Sequence, residues 1–253
     1  MRLIALGTSA AYPEAGSACS GYLVSAQGTN VLLDCGTGVL AQLQRVLAPG
    51  RVDAIVISHL HADHFLDIVP FRYALWRSGR SDRPVRPALW LPPGGPAATA
   101  RLVSAWGAPE SFFSEHFDIS EYAPRSSLVL GALTLTFAPV RHYVPAYGVR
   151  VRGGSTLAYS SDSAPCSELT DLARGADVLL CEAALDDAAE EPPDKRGHMS
   201  PAEAGELAAE AGVRLLLLSH FWPGADRAAA AHAAARGFRG NVCSLQDMDE
   251  VSI

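Results

Sequence analysis

The stretch Ser58-His59-Leu60-His61-Ala62-Asp63-His64 sets four metal-ligand side chains within six residues, directly behind the apolar run Val52 to Ile57. Such density of imidazole and carboxylate is hard to reconcile with an ordinary polar loop. In an extended turn His59 and His61, two residues apart, point the same way. Asp63 and His64, adjacent at the start of the following helix, face a second point. One short loop can therefore serve two neighbouring metal ions.

The rest of the chain has to supply a core that holds this loop. With 253 residues and 49% apolar content, one domain spanning residues 1–253 is expected. No apolar run reaches membrane-spanning length, and the segment Met1 to Gly7 lacks the apolar stretch and cleavage site of a signal peptide, so a soluble cytoplasmic protein is expected. Cys19, Cys35, Cys166, Cys181 and Cys243 are odd in number, scattered and without CxxC spacing, which disfavours both a disulfide framework and thiolate zinc. The net charge of -7 argues against broad capture of nucleic acid. Arg72, Arg77, Arg80, Arg83 and Arg86 are interrupted by Ser, Asp and Pro and read as a solvated helix and loop.

Along the chain, apolar runs at Arg2–Leu6, Gly21–Ser25 and Asn30–Leu33 predict consecutive strands. Asp34-Cys35-Gly36-Thr37-Gly38 reads as a tight turn into a helix over Val39–Val46, because no Lys follows the glycines as a phosphate loop would require. Val52–Ile57 predicts a buried strand, and a helix is expected from Asp63 to about Ser78. A short strand at Ala88–Leu91 interrupts a loop region, and the pattern between Ala97 and Tyr122 is weak.

Leu128–Val140 predicts a hairpin about Gly131-Ala132. A second pairs Tyr147–Val151 with Thr156–Tyr159 through a two-residue turn at Gly153-Gly154. A helix over Cys166–Ala173, a strand over Val178–Cys181 and a mobile acidic loop from Asp186 to Arg196 follow. Ser200-Pro201-Ala202-Glu203 has the sequence of a capping box, and Gly212 stops the helix. A strand over Val213–Ser219, an Ala-rich helix over Asp226–Arg236 and a strand near Val242 close the pattern.

Acids and imidazoles recur where these strands end: Asp34, His59, His142, Asp162, Glu182 and His220. His59, His61 and His142 are expected on one ion, Asp63, His64 and His220 on the other, with Asp162 bridging. Two such ions, about 3.5–4 Å apart, share a hydroxide that serves as nucleophile in an in-line attack. Glu182 and His198 are left over. A carboxylate orients an imidazole and favours its protonated form, so the pair suits charge stabilisation at a phosphoryl group or protonation of a leaving oxygen. Asp63, Glu182 and His198 form the expected catalytic set, Asp63 counting also as a ligand. His116 and His232 lack ligand-type neighbours and read as ordinary surface or packing residues.

Taken together, these residues resemble the metallo-β-lactamase superfamily and, within it, the ribonuclease Z-like phosphodiesterases. The resemblance rests on His59-x-His61-x-Asp63-His64, Leu6-Gly7-Thr8-Ser9, Leu33-Asp34-Cys35-Gly36, His142 ahead of Tyr147-Gly148, Glu182-Ala183, His198-Met199-Ser200 and Ser219-His220. It implies an αββα sandwich of two mixed sheets flanked by helices. It also implies two zinc ions, with manganese as the alternative, phosphodiester rather than β-lactam hydrolysis, and a homodimer.

Two departures stand out. Ser160-Ser161-Asp162-Ser163 puts Ser161 where the family has glycine. No segment between Phe65 and Leu135, or between Asp162 and Glu182, resembles the long basic arm with which tRNA-processing members grip their substrate. The expected substrate is therefore a small phosphodiester, a 3′,5′-cyclic nucleotide such as cAMP. A tRNA 3′-end endonuclease is the alternative, and a metal-binding sensor of little activity a further one.

Overall fold

Residue alternation decides the layers. The structure, a computed structural model, describes residues 1–78, 86–192 and 194–253. In β1 (Arg2–Gly7), Leu3 and Ala5 face one apolar core, while Ile4 and Leu6 face another. The same split runs through β2 (Gly21–Ala26), β3 (Thr29–Leu33) and β4 (Ala54–Val56), which is why these strands read as continuous apolar runs rather than alternating ones. β5 (Ala88–Leu91) and β6 (Asp118–Glu121) extend this first sheet, β3 to β6 running parallel.

The second sheet holds β7 (Ser127–Leu130), β8 (Leu133–Val140), β9 (Ala146–Arg152), β10 (Thr156–Tyr159), β11 (Val178–Glu182), β12 (Leu215–Ser219) and β13 (Asn241–Ser244). The last strand, β14 (Glu250–Ser252), returns to pair with β1. Among the described residues each sheet has 7 strands. Between them pack Leu3, Tyr22, Val24 and Val56 from one side and Leu135, Phe137, Val149 and Leu180 from the other. Each such buried side chain contributes about 1.5–3 kcal/mol.

Helices cover the outer faces. On the first sheet lie α1 (Val39–Leu43), the short α2 (Ala62–Phe65), α3 (Ile68–Ser78) and α4 (Gly95–Ser104), which contribute Leu43, Phe65, Phe71 and Val103 to the outer core. On the second lie α5 (Ser167–Ala173), α6 (Pro201–Ala211) and α7 (Arg227–Ala235). The result is the αββα sandwich of two mixed sheets that the resemblance implied.

Several sequence expectations shift in detail. The helix expected from Asp63 to Ser78 is two helices, α2 and α3. The break falls at Asp67, whose N–H goes to the Cys35 carbonyl at 3.0 Å and whose carboxylate accepts from Leu40 N at 2.9 Å. Tying Asp67 to α1 turns the chain away from the α2 axis. The Gly153 turn is a three-residue loop, since Arg152 pairs with Thr156. The weak region after Ala97 contains α4 and β6. The acidic loop after Asp186, expected to be mobile, carries a single turn of 3-10 helix at Ala188–Glu190 with its own capping box from Asp187.

The α6 capping box forms as its sequence requires, and Gly212 takes the left-handed cap at φ 68°. The cysteines are free thiols. No helix among the described residues is long and apolar enough to cross a membrane. In the arginine group, Arg72 pairs with Glu115 and lies over the Phe112 ring, and Arg86 pairs with Asp118. Arg80 and Arg83 lie outside the described residues.

Candidate metal centre

Every strand that carries a candidate residue ends at the same rim of the sandwich, the place where open sheets with parallel strands gather their ligands. β4 leads into Ser58 and the His59–His64 loop, and β8 into His142. β10, β11 and β12, mutually parallel, deliver Asp162, Glu182 and His220. The loop itself is pinned from below: the Tyr122 hydroxyl donates to the carbonyl of Ile57 at 2.9 Å or of Ser58 at 3.1 Å. Gly36 lies so close beneath it that a Cβ there would sit 1.9 Å from the Asp63 carbonyl oxygen, so only glycine fits.

Two clusters result, in each of which the candidate ligand atoms lie within 4.8 Å of one another: His59, His61, His142 and Asp162, and Asp63, His64, Asp162 and His220. Asp162 belongs to both. Its Oδ2 is 3.6 Å from His59 Nε2 and 3.8 Å from His142 Nε2, while its Oδ1 is 3.2 Å from His64 Nε2. His116 and His232 belong to neither; the His232 ring bonds its own helix at the Ala228 carbonyl. The seven ligand candidates thus stand at one rim in two groups that share Asp162.

Whether these groups suit a cation can be judged from their other bonds. His64 Nδ1 donates to Asp34 Oδ2 at 2.8 Å and His142 Nδ1 to the Gly197 carbonyl at 2.7 Å. His220 Nδ1 meets Ser20 Oγ at 2.9 Å, and His59 Nδ1 meets Ser58 Oγ at 3.1 Å. One nitrogen of each ring is thereby fixed and the other left for the centre, the usual way a protein orients imidazole toward a metal. His59 Nε2 is buried without a hydrogen bond, and His64 Nε2 and Asp162 Oδ1 are buried facing each other, 3.2 Å apart. Buried polar atoms left this way are costly unless an ion completes them, so the donor set fits a cation.

Protonation states agree for most of the set. Burial, reinforced by His64, holds His59 well below the ordinary imidazole range, and burial brings His142 down to about 4 despite Asp162. Burial likewise lowers His61 and His220. Burial opposes ionisation of Asp162, but His220 and His64 overcome it and hold that carboxyl well below its usual value. These are ligand forms, neutral imidazole and carboxylate. His64 differs: burial works against its charge, yet Asp162 and Asp34 together hold its pKa well above the ordinary value. A metal ligand at that position gives up its proton on binding.

Glu182 and His198 sit beside the clusters, grouped with Asp162. Glu182 Oε1 accepts from His198 Nδ1 at 2.8 Å and from Ser163 N at 2.7 Å, and its Oε2 accepts from Ala184 N at 3.2 Å. Burial lowers the His198 pKa, but Glu182 more than offsets this and raises it to about 9. A cavity of about 100 Å³ opens here, lined by His61, Asp63, Asp162, Ala184, His198 and His220 together with Ala10, Ala11 and Trp222.

Ser161 takes a left-handed φ of 57° and is buried, its hydroxyl 3.3 Å from His59 Nδ1. Ala11, Asp34 and His220 are also left-handed. Such non-glycine conformations, each costing about 1–3 kcal/mol, cluster where function over-determines the backbone.

Sequence reasoning missed several contributors. Asp34 reads in the sequence as a strand exit and as part of the Leu33-Asp34-Cys35-Gly36 motif, with no site role assigned, yet besides His64 it accepts from Tyr159 Oη at 2.7 Å and Ser58 N at 2.6 Å. Ser20, the Ala11 N–H that donates to Asp63 Oδ2 at 2.8 Å, and Trp222 carried no signal of their own. An acid directly after a buried strand and two residues before a crowded glycine was the available clue to Asp34.

An αββα sandwich whose rim gathers this His and Asp set defines a metallo-hydrolase class. Residues 29–221 match the family model described as "Beta-lactamase superfamily domain". A Mycobacterium tuberculosis protein, "Uncharacterized protein Rv1339", is 40% identical over 249 residues, covering 96% of this chain and 88% of that protein. The "Probable metallo-hydrolase YhfI" of Bacillus subtilis is 31% identical over 87% of this chain and 86% of its own length. The crystal structure of YhfI superposes with a TM-score of 0.85 at 26% identity, covering 99% of both chains. The short form of human tRNase Z gives 0.78 at 25% identity, over 100% of this chain and 99% of that one. The chain belongs to the β-lactamase superfamily, among its metallo-hydrolases.

Proposed function

We propose that this protein is a phosphodiesterase that holds two zinc ions, or manganese in their place, and hydrolyses a small phosphodiester, a 3′,5′-cyclic nucleotide such as cAMP. The observation that carries the reading is the Glu182–His198 pair beside the two ligand clusters, with His198 lining the same small cavity as His61, Asp63, Asp162 and His220. His59, His61 and His142 would hold one ion and Asp63, His64 and His220 the other, with Asp162 shared between them. Bound there, the cations supply Lewis-acid charge that polarises a phosphoryl oxygen and lowers the pKa of water.

The protein's own groups do the rest. Glu182 engages His198 Nδ1, leaving Nε2 for the substrate. A His198 protonated at neutral pH gives its Nε2 proton to the departing alkoxide oxygen and neutralises charge on the phosphoryl group before that. Ser163 N and Ala184 N hold the two Glu182 oxygens, fixing the dyad against the rim. One domain, a cytoplasmic location and a homodimer belong to the same reading, the last by family analogy alone.

A tRNA 3′-end endonuclease is the second reading, favoured by the likeness to human tRNase Z. Against it stand the net charge of -7 and the connection from Asp162 to Glu182, whose regular structure before β11 is the seven-residue helix α5. The metal-loaded protein, offered a panel of cyclic mononucleotides, is expected to open at least one of them. Turnover of none, with salt-sensitive cutting of precursor tRNA instead, would establish the endonuclease. Turnover of neither would favour a sensor.

A further inference from the structure

We propose that Tyr12 and Trp222 form a stacking wall for the nucleobase of the substrate at the mouth of the cavity. The proposal rests on the phosphodiesterase reading and names the part of the substrate that the metal centre does not reach. A cavity of about 100 Å³ has room for a phosphoryl group among its ligands. Sites that enclose a whole drug-sized molecule run to roughly 300–1,000 Å³. The base of a nucleotide whose phosphate sits at the ligands must therefore lie outside, against the rim.

On that rim stands Trp222, itself part of the cavity lining beside His220 and Asp63. The Tyr12 ring lies 6.3 Å from it, centroid to centroid, with the planes tilted by 57°. Neither belongs to the core: Tyr12 is 57% and Trp222 48% exposed. Single exposed aromatics are ordinary, but a pair 210 residues apart in sequence, brought together at the opening of a polar centre, is a placed feature.

The backbone beneath the pair is fixed. Ala11 adopts a left-handed φ of 56° and gives its N–H to Asp63 Oδ2, so the residue next to Tyr12 is tied to a candidate metal ligand. Ala10 N donates to the Phe221 carbonyl at 2.8 Å, and Phe221 N to the Thr8 carbonyl at 2.9 Å, sewing the two loops together. Phe221 is buried, with the Arg227 guanidinium 4.8 Å over its ring. With the backbone beneath both rings fixed, only the two side-chain torsions of each ring remain to be ordered when a third plane stacks on them. Base–aromatic stacking tolerates any base, because every base has a π-face. Tyr143, whose ring lies 5.4 Å from that of His198, is held by its hydroxyl bond to Glu191. The apolar groove beside Leu60 and Pro145 is lined by no aromatic ring among the described residues.

Trp222→Ala, Tyr12→Ala and Trp222→Phe, each metal-loaded, would be assayed with cAMP and with its abasic analogue, 1-deoxyribose 3′,5′-cyclic phosphate. Either alanine variant is expected to raise KM for cAMP roughly 10-fold, within the range base stacking is worth, with a far smaller change in kcat. KM for the abasic analogue and bound metal should hold, and Trp222→Phe should recover most of the loss. Equal effects on both substrates, or no effect on cAMP, would overturn the proposal. Calorimetric binding of AMP and of inorganic phosphate tests the wall without turnover. The wild type should bind AMP more tightly than phosphate, and Trp222→Ala should erase that difference. If the wild type opens no cyclic nucleotide yet shows it, the substrate reading fails and the wall stands. AMP bound no more tightly than phosphate sinks the wall alone.

Discussion

His64 Nδ1 donates to Asp34 Oδ2 across 2.8 Å, with both side chains fully buried and Asp34 held at a left-handed φ of 59°. Asp34 also receives the Tyr159 hydroxyl and both the N–H and hydroxyl of Ser58. One carboxylate thus couples a strand of each sheet to the metal loop. Asp34→Asn, which keeps the shape but weakens the acceptor, is expected to lower metal affinity about 10–100-fold. Asp34→Ala strands several buried donors at about 1–3 kcal/mol each, so it should lower stability by about 3 kcal/mol or more. Metal titration of the first and urea unfolding of the second check this; unchanged affinity in Asp34→Asn would leave Asp34 a purely structural residue.

Metal removal should destabilise the protein, because the cation binds the folded centre and leaves buried His59, His64 and Asp162 atoms facing one another when it departs. At free metal about 100-fold above Kd, each site adds about 2.7 kcal/mol to apparent stability. Thermal melts with chelator and with added zinc should differ accordingly. Asp63→Ala is expected to lose metal and activity together and to show a much smaller shift between the two melts.

His198→Ala should keep its metal content and lose roughly 10²–10⁴ in kcat on cyclic nucleotide, the usual contribution of a positioned proton donor. The loss should shrink sharply on bis(p-nitrophenyl) phosphate, whose leaving group departs without help. A variant equally impaired on both substrates would point to a role at the phosphoryl charge. A fully active one would remove His198 from the chemistry.

Ser161→Gly probes the departure from the family pattern. Glycine relieves a left-handed strain of about 1–2 kcal/mol but adds unfolded-state entropy of about 0.4–1 kcal/mol. The net change in stability should therefore lie between about 0 and 1.6 kcal/mol in favour of glycine. Because the serine fits its position and its hydroxyl contacts His59 Nδ1, activity should not rise. An order-of-magnitude gain in rate would mean that Ser161 restrains the enzyme and would favour the sensor reading.

Much of this molecule was legible one residue at a time. Apolar runs marked β1 to β4 and β8 to β12, because a strand buried on one or both faces must be rich in apolar residues. The Ser200 and Glu203 capping box and the Gly212 stop fixed α6 by local chemistry alone. The candidate ligands of the His59–His64 loop, and the strand-exit residues His142, Asp162, Glu182 and His220, could be picked out as candidates too, since ligand types are few and their spacing is short or falls at the ends of strands, and the structure brings them to one rim. β6 and β14 were not: at Asp118–Glu121 and Glu250–Ser252 they are edge strands with exposed positions and no apolar signal.

Tertiary structure alone decided how the ligands are held and what surrounds them. Asp34 behind His64, Ser20 behind His220 and the Gly197 carbonyl behind His142 are contacts across 30, 200 and 55 residues. So is the meeting of Tyr12 with Trp222. A sequence shows which side chains can bind a metal or stack on a base, because those are properties of each residue. Which nitrogen is tied down, and which ring stands beside which cavity, depends on how two sheets pack, and that packing belongs to no single stretch of chain.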